Sequence, residues 1–391
     1  MDAAGQAVMA ARKDLFSKAL SVPGRLHMAA HSHLLWPDAT LAAQVEAWED
    51  AVVLADHKWD KALGEVYPAT QGLVARELNL PSSDTVVFAP NTHTLLAVLK
   101  SAVARRENGK PVRILSTDGE FHSFRRQAQR WGEAGEIELT LVESEAPDFA
   151  ERFIAVARRG DYDLIFVSHV FFKTGDVFDR VWELAELSRP EGPWLVVDGY
   201  HGFRAVPTDL SDVADRVFYL AGGYKYAMAG EGAAFLHAPP GFGSRPILTG
   251  WYAEFGDLEG PPGGVGYTAD AQRFMGATFD PSGLYRFVAA GRMLEAEGLT
   301  TAKVAEHVGG LMRSLAADPP LKGAVVLNPP GKGPQARFLA LRHEKASAWK
   351  QALAERGVVV DVRDDVLRVG LSIYHDEADV AAFREACGGL A

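Results

Sequence analysis

The chain of 391 residues contains a single cysteine, Cys387, close to its C-terminal end. One thiol excludes a disulfide framework and a cysteine-based zinc site, and it agrees with a reducing compartment. No apolar run approaches the roughly 20 residues that a membrane helix needs. The opening stretch MDAAGQAVMAARKDLF is mixed and helix-prone, without the uninterrupted apolar centre of a secretion signal. Long basic tracts are also missing. The formal net charge is −11, and the two richest segments, ARRENGKPVR and SFRRQAQRW, are short and interrupted. Neither nucleic acid nor an anionic membrane is expected as a partner of such a chain, and the first segment reads as a solvated helix end. There is no internal repeat or low-complexity tract. These absences lead us to expect a soluble, cytoplasmic protein.

What is present is apolar and regularly spaced. Hydrophobic residues make up 48% of the chain, enough for a large core, and the length suits one large domain with a smaller one. From about residue 85, short apolar runs (TVVFAP, VRILS, LIFVSHVFF, WLVVDGY, RVFYLAGG, AAFLHA) alternate with helix-like stretches (HTLLAVLKSAVARR, FHSFRRQAQRWGEA, FAERFIAVARRG, VFDRVWELAELSR). Alternation of this kind predicts an α/β domain on a mainly parallel sheet. Runs that are apolar on both faces predict helices on both sides of it. Near residue 239 the texture changes: APPGFGSRP and LEGPPGGVGYT predict loops. The run from SGLYRFVAAGRMLEAEG into TTAKVAEHVGGLMRSLA predicts one long helix. GAVVLNPP, ARFLALR, GVVVDVRDDVLRVGL and a last helix, DEADVAAFREACGGL, then predict a smaller α+β domain. We divide the chain into an N-terminal segment over residues 1–45, a large domain over 46–270 and a small domain over 271–391.

Three positions stand out chemically. Lys225 lies between two tyrosines in GGYKYAMAGEG, after an apolar run. Taken alone it could be a surface loop charge. Asp198 and His201 lie in VVDGYH, where an apolar strand ends, and the loops at that edge of a parallel sheet are where ligands bind. Taken alone, Asp198 could cap the next helix. Thr92 lies in FAPNTHTLLAVL, where a strand gives way to a helix whose free N–H groups could hold a phosphate. Histidines His31 and His33 in HSHLLWPDA lack the further clustered ligands that a metal would require, so no metal site is expected.

Together these segments resemble a fold type I pyridoxal-phosphate enzyme of the class V aminotransferase and kynureninase group, over residues 25 to 380. The ordered set of an aspartate, a histidine three residues on and then Tyr-Lys-Tyr-x-x-x-Gly carries the resemblance. It implies a large domain with a seven-stranded-type, mainly parallel sheet covered by helices, a smaller C-terminal α+β domain, and pyridoxal 5′-phosphate as cofactor. Lys225 would form an imine with the cofactor aldehyde, Asp198 would pair with the pyridine nitrogen, and His201 matches the kynureninase pattern. Thr92 and His93 match the phosphate-binding turn, and Tyr224 matches a tyrosine that contacts the phosphate. GEFHSF matches the segment whose ring stacks on the cofactor, which points to His122, with Phe121 second. RFMGAT resembles segments whose threonine reaches the partner subunit's phosphate, so Thr278 is a candidate and a homodimer with shared sites is implied. VLRVGLSIY resembles the segment whose arginine grips the substrate carboxylate, here Arg368. Trp251 in GWYAEF resembles a residue near the substrate ring, with packing as the alternative, and Ser32 and His33 fall in the segment that borders the substrate.

The chemistry agrees with this set. A carboxylate favours a protonated pyridine, a lysine must lose a proton before it attacks an aldehyde, and an arginine grips a carboxylate at two points. Two departures bear on reaction choice. SHVFFKTG has Phe171 where relatives often have an asparagine beside the cofactor, and YAEFGD follows GW where kynureninases commonly show Gly-His. Cysteine desulfuration needs a cysteine nucleophile near the site, whereas Cys387 falls in the terminal helix. The leading expectation is an aminotransferase-like enzyme acting on an amino acid as its small-molecule substrate. A kynureninase-like hydrolase that cleaves a Cβ–Cγ bond is the second, and a cofactor-binding protein without catalysis is a remote third.

Overall fold

The computed structural model describes residues 9–103, 109–257, 264–331 and 333–390. Parts of four stretches read above lie outside the described residues: 1–8 of the opening stretch, 104–106 of HTLLAVLKSAVARR, 104–108 of ARRENGKPVR, and 258–263 of the second Gly/Pro-rich loop.

A seven-stranded sheet organises the larger part. Its strands are β2 (Val86–Ala89), β3 (Val112–Thr117), β4 (Ile137–Val142), β5 (Leu164–Ser168), β6 (Trp194–Asp198), β7 (Val217–Gly222) and β8 (Ala234–His237), in the order β2-β8-β7-β6-β5-β3-β4. β8 runs against both its neighbours, while β7, β6, β5, β3 and β4 pair in parallel. The mainly parallel sheet is thus as expected. Every residue of β5 and β7 is buried, because helices cover both faces. The helix His122–Glu133 shows how. It is mostly polar, with buried Phe124 and Ala128 and partly buried Trp131 turned to the core, and the Phe124 ring stacks on Phe166 of β5 at 3.9 Å.

The smaller part has an antiparallel sheet, β12-β13-β10-β9, built from β9 (Val325–Val326), β10 (Phe338–Arg342), β12 (Asp361–Arg363) and β13 (Val366–Gly370). The N-terminal segment joins it. β1 (Leu26–His27) pairs in parallel with β11 (Val358–Val359), and Gly370 N–H donates to the Met28 carbonyl at 2.7 Å. Two hydrophobic cores result, one under the large sheet and one between the small sheet and its helices.

Two local expectations need correction. The long helix is two helices, Ser282–Ala296 and Thr301–Ala317. Gly298, at φ 61°, takes the left-handed conformation that ends the first, and the Thr300 hydroxyl caps the second by accepting from Lys303 N–H at 3.3 Å. VFDRVWELAELSR forms a 3₁₀ helix, Asp179–Leu187. Its inward side chains Val181, Leu184 and Leu187 recur every three residues, which suits three residues per turn.

Candidate active site

A cavity of about 310 Å³ opens where β5 and β6 end and the helix Thr92–Ala102 begins. This is the sheet edge at which α/β proteins bind ligands. Asp198, the last residue of β6, and Lys225, three residues after β7, both line it. The backbone around the lysine is tightly fitted. A side chain at Gly222 would strike the Tyr200 ring, and Gly230 at φ 68° lets Trp36 lie against the loop.

Lys225 is buried, and its Nζ donates to the His31 carbonyl at 2.8 Å, with the Ser32 carbonyl at 3.5 Å. Nζ also lies 5.1 Å from the Tyr224 ring and 5.7 Å from that of Tyr200. Burial, reinforced by the charge of Arg368, pushes its ammonium down to about 7. A lysine poised there supplies a neutral amine near neutral pH, as attack on an aldehyde requires. Asp198 is half-buried and accepts from Tyr200 N–H at 2.9 Å. Burial pushes its carboxyl up to about 6, against that hydrogen bond and Lys225, so a cation placed beside it would be favoured. His201 lines the same wall, buried, and burial holds its imidazole well below the usual value.

Thr92 and His93 also line the cavity. Their helix has Asn91 as an extended N-cap whose side chain accepts from Thr94 N–H at 2.9 Å. The opening N–H groups of the helix are thereby left without helical partners, beside Tyr224, in the arrangement that holds a phosphate. The aromatic position shifts by one residue from expectation. Phe121 and Ser123 line the cavity, whereas His122 begins the helix, is exposed, and meets the Phe172 ring edge-on at 5.2 Å. Phe171 is displaced in the same way. It is buried against Phe149 at 5.3 Å, and Val170 and Phe172 face the cavity instead.

The small domain supplies a charged group near Lys225. Arg368 on β13 is fully buried and lies directly opposite Asp361 of β12. One guanidinium nitrogen donates to Asp361, the other to the Phe172 carbonyl, and Nε has no partner. Arg363 donates to the other oxygen of Asp361 at 2.8 Å. Although burial opposes it, Arg368 and Arg363 hold the Asp361 carboxyl below its usual value. His31 completes the group. It is fully buried, its ring is stacked on Phe338 at 4.7 Å, and its Nε2 lies 3.9 Å from Asp361.

Other expected residues lie elsewhere. His33 is exposed and stacks on Tyr224 at 5.4 Å, and Ser32 meets the site through its backbone carbonyl. Trp251 donates to the Thr278 hydroxyl at 3.3 Å; both are exposed and neither lines the cavity. Cys387 is buried in the small-domain core, where burial pushes its thiol up to about 12. Among the described residues no cluster could hold a metal ion, and no helix is long and apolar enough to cross a membrane.

Sequence reasoning missed Glu120, Ser168, Asp361 and Arg363. Glu120 is a fully buried carboxyl whose Oε1 accepts from Thr117 Oγ1 at 2.8 Å and from Ser168 N–H at 3.1 Å. Its position inside GEFHSF was the one available signal.

A mainly parallel sheet whose carboxyl edge gathers a near-neutral lysine, a half-buried carboxyl and a phosphate-ready helix start is the architecture of fold type I pyridoxal-phosphate enzymes. Solved structures agree on the fold. One of them, described as a C-DES mutant with glycine covalently linked to the PLP cofactor, superposes with a TM-score of 0.79 at 16% identity, over 96% of this chain and 99% of that one. The chain belongs to the class-V aminotransferase family, whose model matches residues 35–312, and a model of the kynureninase C-terminal domain matches residues 302–386. Isopenicillin N epimerase of Streptomyces clavuligerus is 28% identical over 311 residues, 72% of this chain and 74% of that protein. An uncharacterized aminotransferase of Bacillus subtilis is 25% identical over 216 residues, 55% of this chain; the match spans only about half of that relative, 56%. The cofactor is pyridoxal 5′-phosphate, and the cavity suits it: an amine for its aldehyde, a carboxyl for its ring nitrogen and free N–H groups for its phosphate.

Proposed function

We propose that the protein transforms a small α-amino acid and that, most simply, it is an aminotransferase-like member of class V. The observation that carries this reading is the buried, near-neutral Lys225 facing Asp198 in one cavity, with Arg368 close to Lys225 though outside the cavity lining and its Nε without a partner. A buried guanidinium donor without an acceptor is costly, and a substrate carboxylate would satisfy it. A protein that only stored the cofactor would need no such group.

When bound, the cofactor supplies an electron sink for negative charge at the substrate's α-carbon. In our reading the chain does the rest. Lys225 would hold the cofactor through its aldehyde, and its neutral amine would be the group that takes and returns the α-proton. Asp198 keeps the ring nitrogen protonated, and His201, neutral at ordinary pH, borders the ring. Thr92, His93 and Tyr224 hold the phosphate. Phe121 takes the stacking position ahead of His122, which supports the wall through Phe172. Arg368 orients the α-carboxylate, and Ser32 and His33 border the substrate.

A homodimer belongs to this proposal. The helix Ala39–Leu54 leaves Leu41, Val45, Trp48 and Val52 exposed at helical spacing, with Trp48 at 65%. Such an apolar stripe is uncommon on a free surface. In such a dimer Thr278 and Trp251, exposed and off the cavity of their own chain, are the candidates to complete the partner's site. Sedimentation of W48E tests this: the wild type should be a dimer and the variant a monomer.

The kynureninase-like hydrolase is the second reading, favoured by the match over residues 302–386, which contain Asp361, Arg363 and Arg368. Relatives named as an aminotransferase and an epimerase bracket further reactions. The test is an absorbance spectrum of protein with pyridoxal phosphate, before and after a panel of L-amino acids that includes kynurenine, with K225A alongside. Conversion of the cofactor to its amine form, with a keto-acid acceptor required for turnover, supports transamination. Kynurenine turnover to alanine and an aromatic acid without an acceptor supports hydrolysis. A wild type without the visible band of lysine-linked cofactor overturns both. Fractionation tests the expected cytoplasmic location.

A further inference from the structure

Glu120 is the one wholly buried carboxyl near the cavity that the proposed function leaves unused. It has no cation within ion-pair distance among the described residues. Its contacts are specific. Oε1 accepts from Thr117 Oγ1 at 2.8 Å and from Ser168 N–H at 3.1 Å, and a backbone N–H can only donate. Oε1 is therefore the carbonyl-like oxygen. Oε2 meets Ser168 Oγ at 2.5 Å, and here either partner can carry the hydrogen.

Ser168 is where this matters. It ends β5, lies beside Asp198 in register, and lines the cavity. A serine has one hydroxyl hydrogen. If Glu120 is ionised, Ser168 donates to it and turns only lone pairs to the cavity. If Glu120 is protonated, Glu120 donates, and the serine hydrogen is free to face the cavity. The titratable group that acts on Glu120 from the neighbouring strand is Asp198, and burial with that charge pushes the Glu120 carboxyl up to about 8 in the absence of a ligand. Ser168 and Thr117 oppose the shift. Lys225 faces Asp198 from the other side.

We propose that Glu120 and Ser168 form a reversible hydrogen-bond pair that turns the wall beside Asp198 from donor to acceptor when a cationic pyridine ring binds. The O–H bond of Glu120 breaks, its proton leaves to bulk water, and the Ser168 hydrogen rotates onto the carboxylate. Glu120 is a positioning residue: it acts on the cofactor through Ser168 and through its charge. The inference rests on the pyridoxal-phosphate reading of the site.

The test uses apoprotein and pyridoxal phosphate, with wild type, E120Q, S168A and the double variant. Proton release on binding is measured by calorimetry in HEPES and PIPES at pH 7, and affinity by the visible band. The wild type should release close to one proton more than E120Q. Its affinity should also rise between pH 6 and 8 more steeply than that of E120Q, by up to roughly tenfold per pH unit. E120Q and S168A should each weaken binding, and the double variant should be no weaker than the worse single. Equal proton release by wild type and E120Q overturns the proposal, as do fully additive losses. If E120Q does not fold, the wild type alone decides. The infrared band of a protonated carboxylic acid should be present in the apoprotein and lost on binding, and its persistence overturns the proposal. A wild type that forms no visible band would bring down the underlying reading as well, which separates the two failures.

Discussion

The wall contributed by the seven-stranded sheet carries its groups at or just beyond strand ends, where they face the cavity. The group contributed by the small domain sits within strands and is knotted together: Asp361 binds both Arg363 and Arg368, and Arg368 also reaches across to the Phe172 carbonyl. The difference separates two tasks. Loop residues at a sheet edge can converge on a fixed cofactor. A buried arginine, proposed here to receive a substrate carboxylate, needs an internal carboxylate to hold its charge meanwhile, because an unpaired buried guanidinium is strongly disfavoured.

Substitutions should therefore divide by wall. The largest effect is expected for K225A: no visible band of lysine-linked cofactor, and turnover lower by roughly 10³-fold or more. Retained turnover would erase the distinction, since the sheet wall would then be dispensable. R368K should keep cofactor binding and lower kcat/KM by roughly 10- to 100-fold, the worth of a charged hydrogen bond. Loss of cofactor affinity in R368K would show that the walls do not act separately. D361N should have a smaller effect of the same kind, through KM, because it loosens the arginine without removing it.

Two predictions concern pH. Burial lowers the Lys225 ammonium to about 7, so its reactive neutral form accumulates as pH rises through that value. The rate of visible-band formation from apoprotein and pyridoxal phosphate should climb to about pH 7 and then level; a climb continuing toward pH 10 would mean that the lysine is solvated. Asp198 is raised to about 6, so its ionised form is disfavoured by the fold. Well below pH 4, the ordinary aspartate value, the carboxyl is protonated both folded and unfolded, and D198N should match wild-type apoprotein in stability. Above pH 6 the wild type bears the penalty, and D198N should be the more stable apoprotein by roughly 1–3 kcal/mol by thermal unfolding.

The same division governs what could be read from residue order. Asp198, His201, Tyr224 and Lys225 fall within short motifs at the ends of β6 and β7, and alternating apolar runs announced those strands. The small-domain group was legible only at Arg368. Its tie to Asp361 depends on β12 and β13 pairing in a register that places 361 opposite 368, and strand order in a list of residues does not express register. Single-residue offsets at Phe121 and Phe172 arise because both positions leave regular structure. Phe121 is an extended N-cap at ψ 147°, and Phe172 lies inside the turn closed by the Val170–Val177 bridge. Glu120 had no periodic signature, since a single buried carboxyl breaks no pattern. Trp251 and Thr278 lie away from the cavity of their own chain.

The helix Ser282–Ala296 places Leu284 and Phe287 in the core under the large sheet, and Ala290 and Leu294 in the core of the small domain. One rigid rod is thus common property of both hydrophobic interiors. Fraying it exposes apolar surface on both sides at once, so neither interior can melt while the other keeps its packing. A single cooperative transition on heating is therefore the expected outcome by calorimetry, despite two sheets and two cores.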